Sequence, residues 1–107
     1  DYVSGCAMMV KRKVFEKIGF FDERFILYFE DVDFCLRART AGFVIGVEPK
    51  STIIHLLREG KRKELKTNIY LLKSNFIFIN KYLPLYRRPI AYGYLLLLGI
   101  KILLNLW

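Results

Sequence analysis

Three carboxylates, Glu30, Asp31 and Asp33, fall within four consecutive positions directly after the apolar run Phe25-Ile26-Leu27-Tyr28-Phe29. A carboxylate is costly to remove from water, so such a cluster beside apolar residues needs cations, hydrogen-bond donors or water close by. Clusters of this kind hold a metal ion, take up a proton or cap a helix. The chain has a single histidine, His55, after a short apolar run. An imidazole there reads as a hydrogen-bonded structural group. Two cysteines, Cys6 and Cys35, have no Cys or His at metal-binding spacing and read as free, small core residues.

The carboxylates are positioned by a predicted helix. No Pro or Gly occurs from Asp31 to Ala41, and Gly42 supplies a stop. Phe34, Ala38 and Ala41 share one helical face. Glu30 or Asp31 then lies at or near the N-cap, where exposed amides and the helix dipole favour an anion. Capping accounts for one or two of the carboxylates. Asp33 has its own ordinary explanation, an ion pair with Arg37 four residues on.

Upstream, residues 3–10 read as a buried strand and residues 11–18 as a short helix closed by Gly19. Gly19 to Glu23 forms a turn with two aromatics and an acid pair. Downstream, Phe43–Val47 and Ser51–His55 read as strands, being apolar and β-branched. Residues 58–66 are a charged run around Gly60, read as a solvated loop and helix start. Leu65, Ile69, Leu72, Phe76, Ile79 and Leu83 then recur at steps of four and three, the packing stripe of a long helix stopped by Pro84. Ile90–Trp107 carries one charge, Lys101, and as a helix would be roughly 27 Å long, against about 30 Å for a bilayer core. It can span, lie in the interface, or pack as a hairpin on the helix before it. Arg87 and Arg88 place its start on the cytoplasmic side, and Tyr82, Tyr86, Tyr92 and Trp107 suit an interfacial belt.

Charge supports a membrane surface as partner. Residues 1–57 carry 8 basic and 8 acidic side chains, whereas residues 58–107 carry 10 basic and 2 acidic. The whole excess of +8 therefore lies in the apolar second half, which points to an anionic lipid surface. No recognisable nucleic-acid-binding module accompanies it, so no nucleic acid partner is expected. At 107 residues the chain suits one modest core. It begins at Asp1 within what reads as a structured segment, and is expected to be a piece of a longer protein.

The order of motifs, SGCAMMVKRKVFEKIGFFDERF, then YFEDVDFCLRARTAGF, then VEPKSTIIH, resembles the C-terminal half of the catalytic domain of family 2 glycosyltransferases. The likeness is nearest to the rhamnosyltransferase-like enzymes of surface polysaccharide synthesis and covers roughly residues 3–82. It implies an α/β fold of the GT-A type, the acceptor-side half in residues 1–60, an amphipathic helix in 61–84 and an apolar membrane-associated helix in 85–107. It implies inverting transfer of a sugar from a nucleotide-sugar donor to a hydroxyl of a saccharide acceptor, the acceptor being lipid-linked by analogy.

The resemblance places the general base at Asp31, with Glu30 positioning Asp31 or the acceptor. A positioned carboxylate takes the proton of a poorly nucleophilic hydroxyl as the new bond forms. Asp22, Tyr28, Asp33 and Arg37 are assigned to substrate binding, with turn stabilisation open as the alternative for Asp22. His55 matches the position at which relatives hold a divalent ion, Mn²⁺ or Mg²⁺, on the leaving diphosphate. The family's donor half and its Asp-x-Asp motif have no counterpart in these residues, so the chain alone is expected to be inactive. A non-catalytic membrane adaptor is the alternative from another class. A calcium-type regulatory module ranks last, because the carboxylates lack that loop's spacing and glycine.

Overall fold

The computed structural model describes residues 2–56 and 64–104. The charged run before residue 64 falls mostly outside the described residues, as does the end of the last segment with Trp107. The four α-helices are α1 (Arg12–Ile18), α2 (Glu30–Thr40), α3 (Glu64–Tyr82) and α4 (Arg88–Leu103). Short 3₁₀ turns occupy Gly5–Ala7 and Leu85–Arg87.

This corrects the expected α/β fold of the GT-A type. Among the described residues every regular element is helical and there is no strand. Residues 3–10 instead hold a 3₁₀ turn flanked by extended residues at Ser4 and Met8. Residues 43–47 and 51–55 form no regular structure. The reason is that a strand exists only through a ladder with another strand, which local β-propensity cannot supply.

The chain divides into two compact units, one of Asp1–Glu23 with Glu30–Gly60, the other of Arg24–Phe29 with Lys61–Trp107. In the first unit α1 and α2 pack around Val14, Phe34 and Ala38, with Met8, Val10, Phe15, Ile18 and Phe43 at the margin. Phe34 lies between two rings, 5.4 Å from Phe15 and 4.6 Å from Phe21 between centroids. The glycines act as the sequence predicts. Gly19 ends α1 with φ 76° and donates its N–H to the Phe15 carbonyl. Gly42, at φ 89°, ends α2. Its N–H reaches the Arg39 carbonyl, and the Phe43 N–H reaches that of Ala38. That is the Schellman arrangement, and its apolar contact is Phe43 against the Ala38 cluster.

In the second unit α3 and α4 form an antiparallel hairpin. Phe76 stacks on Tyr92 at 5.8 Å, and the Tyr92 hydroxyl donates to Asn80 Oδ1 at 2.8 Å. Arg88 closes the bend by donating to the carbonyls of Leu83 (3.0 Å) and Asn80 (2.9 Å), two acceptors left over at the end of α3. Arg24–Phe29 lies on α3. The buried Ser74 hydroxyl donates to the Leu27 carbonyl at 2.7 Å, and Phe29 meets Phe78 at 5.1 Å.

Two further expectations are corrected here. The stripe proposed for α3 is only partly a packing face: Ile79 is buried, but Leu65, Ile69 and Phe76 are exposed. In addition, no helix among the described residues is long and apolar enough to cross a membrane. At 16 residues α4 is about 24 Å long, short of a bilayer core of about 30 Å.

Candidate functional site

The helix carrying the carboxylates starts at Glu30, so Glu30, Asp31 and Asp33 all occupy its first turn, one position inside the expected cap. Their surroundings differ, and this separates their roles.

Asp31 is half-buried and both of its carboxylate oxygens accept backbone N–H groups. Oδ2 accepts from Gly5 at 3.0 Å, and Oδ1 from Val32 at 2.8 Å. Gly5 approaches closely: a Cβ at that position would stand 3.6 Å from the Asp31 Cβ. Two donors from different parts of the chain fix the plane of the carboxylate. A carboxylate oxygen offers two lone pairs, so each still has one to offer a hydroxyl.

Asp33 is fully buried and ion-paired, its Oδ2 lying 2.9 Å from Arg37 Nε. Arg37 also donates to the carbonyl of Ile18 at 2.7 Å and of Phe20 at 2.8 Å. Its guanidinium lies 5.3 Å from the Phe34 ring centroid. The pair thus ties the end of α1 and the turn after it to α2. The sequence assigns both to substrate binding; in the structure they pair one turn along the same helix and hold the end of α1 to it.

Glu30 has one buried carboxylate oxygen, Oε2, with no hydrogen-bond partner. An acceptor left this way costs about 1–3 kcal/mol. That oxygen does not hold Asp31. Asp22 is half-buried in the turn after Gly19 and is itself engaged with a partner.

Tyr28 belongs to the second unit. It and Phe29 both take left-handed backbone conformations, φ 67° and 69°, immediately before Glu30. Two bulky residues in succession in that region are uncommon, and each costs about 1–2 kcal/mol. Sequence reasoning missed this feature, because nothing in Tyr-Phe favours positive φ.

His55 is exposed, and no hydrogen bond or ion pair joins it to Asp31. No group of three or more His, Cys, Asp or Glu side chains among the described residues is placed to hold a metal ion. The residues present therefore do not by themselves fit the expected Mn²⁺ or Mg²⁺ site. The first unit also has an apolar cleft of about 470 Å³ lined by Met8, Val10, Phe34, Phe43 and Val44, with Lys11 and Lys13 at its edge. None of the carboxylates lines it.

Comparison with known proteins decides what these residues are related to. The low-salt glycan biosynthesis hexosyltransferase Agl10 of Haloferax volcanii is 44% identical over 85 residues, 73% of this chain and 28% of its own length. The relatives are glycosyltransferases. The N-acetylglucosaminyl-diphospho-decaprenol L-rhamnosyltransferase of Mycobacterium tuberculosis is 30% identical over 79 residues, 73% of this chain and 26% of its own length. The rhamnosyltransferase WbbL of Escherichia coli is 31% identical over 80 residues, 74% of this chain and 30% of its own length. The chain thus spans less than a third of the curated glycosyltransferases it matches. No family model matches it, and no solved structure does.

Proposed function

We propose that these residues are the acceptor side of an inverting, family 2 glycosyltransferase, with Asp31 as the general base. The observation that carries the reading is the fixed carboxylate of Asp31, held by the Gly5 and Val32 amides. The similarity to hexosyl- and rhamnosyltransferases supports it.

In this reading a sugar passes from a nucleotide sugar to a hydroxyl of a lipid-linked saccharide during surface polysaccharide synthesis, at the cytoplasmic face of the cell membrane. The relative named for a diphospho-decaprenol substrate supports the lipid-linked acceptor. Asp31 takes the hydroxyl proton as the oxygen attacks the anomeric carbon and the nucleoside diphosphate leaves. Holding that oxygen in line supplies much of the remaining rate. Glu30, one position before Asp31 at the same helix start, orients the acceptor sugar. Asp22 contributes to acceptor binding, and Arg37 with Asp33 ties the end of α1 to the helix that carries Asp31. The donor site, and all but His55 of any Mn²⁺ or Mg²⁺ site, come from polypeptide outside these residues.

The test uses the full-length protein containing these residues. Asp31→Asn should lower turnover by about 10²- to 10⁴-fold, the usual contribution of a general base, with nucleoside diphosphate affinity unchanged. Unchanged turnover would remove Asp31 from the role. Absence of turnover in the wild type, across donors and lipid-linked acceptors, would favour a non-catalytic membrane adaptor.

A further inference from the structure

α4 has two faces. One packs on α3 through half-buried Arg88, Ala91, Tyr92, Leu95 and Leu98, at steps of three, one, three and three. The opposite face is exposed, yet it is largely apolar. Tyr86, Ile90, Tyr94, Leu97, Lys101 and Leu104 recur at steps of four, four, three, four and three, which is one line along a helix. Their apolar members are 74%, 81%, 63%, 66% and 59% exposed, for Tyr86, Ile90, Tyr94, Leu97 and Leu104 in turn.

We infer that this line is a membrane-docking face on which α4 lies in the plane of an anionic lipid surface. Charge selects the occupant. From Leu65 to Leu104 the chain has six Lys or Arg and no Asp or Glu. Lys101 is exposed on the line itself, and exposed Arg87 stands at the start of α4. Cations with no acid among them suit phosphate headgroups, while Ile90, Leu97 and Leu104 enter the acyl boundary. A lysine on such a line buries its stem and lifts its ammonium to the headgroups. The two tyrosines suit the same level.

This inference deepens the membrane placement proposed above and rests on that placement for where the surface is found in the cell. Vesicle binding, however, is measured without turnover, so the two fail separately. The full chain is co-sedimented with vesicles of neutral phosphatidylcholine, alone or with about one lipid in three replaced by anionic phosphatidylglycerol. The expected result is binding to the anionic vesicles, weakened by salt. Leu97→Glu and, separately, Ile90→Glu should each lower it by at least about tenfold, and Lys101→Gln by about fivefold, with helical circular dichroism unchanged. Equal binding by wild type and both glutamate variants would overturn the inference. So would a lipid-free dimer that Leu97→Glu dissociates, since a second copy would then cover the face.

Discussion

Arg37 is the side chain with the most dependent partners in the first unit. It neutralises a carboxylate with no exposure and holds two carbonyls from the end of α1 and the following turn. Removing one member of a buried pair strands the other, at a cost of about 3–5 kcal/mol, whereas replacing both by apolar residues is often nearly neutral. Arg37→Ala should therefore lower stability by about 3–5 kcal/mol in urea unfolding, and Asp33→Leu with Arg37→Met by much less. A loss near zero for Arg37→Ala would mean that the pair is effectively solvated. The spacing of the two residues was legible in the sequence; the pair's wider role was not, because the Ile18 and Phe20 carbonyls that Arg37 also holds arrive from the end of α1 and the turn after it. Tyr28 is the reverse case, a strained conformation with no signal in the chain. Tyr28→Gly should relieve about 1 kcal/mol of left-handed strain, offset by lost ring contacts, while Tyr28→Val should destabilise, since a β-branched side chain tolerates that region worst. Thermal unfolding of the two variants in parallel checks the order; Val at least as stable as Gly would contradict it.

At the scale of elements, the helices were readable because their signals are local. Gly19, Gly42 and Pro84 end three of them where expected. Gly42→Ala should cost about 1–2 kcal/mol through positive φ alone, as a lower thermal midpoint with native helix content. No change would mean that the Schellman turn had been replaced by another ending. The expected strands at 3–10, 43–47 and 51–55 were not recoverable, because pairing is a property of two segments and the sequence of one does not contain it. The α3 stripe misled for a related reason. Periodicity shows that an apolar line exists, but the packed side was decided by where Leu27, Phe29 and α4 contact the helix. Asp31's place at a helix start was legible, whereas its grip by the Gly5 amide, twenty-six residues away, was not.

For the molecule as a whole, the asymmetry of charge is the feature that sequence and structure share. The neutral half contains the carboxylate site, and the basic half contains the exposed line on α4. The 107-residue chain is predicted to release no nucleoside diphosphate from a panel of nucleotide sugars with Mn²⁺ or Mg²⁺, in a coupled phosphate assay. The ground is that the chain spans less than a third of the glycosyltransferases it matches, so the donor half is expected in other polypeptide. Measurable release would overturn the assignment of the donor site to other polypeptide.

The two thiols described as small core residues are in fact unequal. Cys6 is exposed in the 3₁₀ turn beside Gly5, while Cys35 is 3% exposed within α2, its sulfur 3.9 Å from the Val3 carbonyl. A maleimide reagent therefore meets one thiol at once and the other only when α2 separates from the segment that carries Gly5. The slow alkylation phase is a clock for that local opening, and with it for the amide that aims Asp31. An acceptor sugar that braces the site would slow this clock and leave the fast phase untouched, giving a readout of acceptor binding that needs no donor, no metal and no turnover.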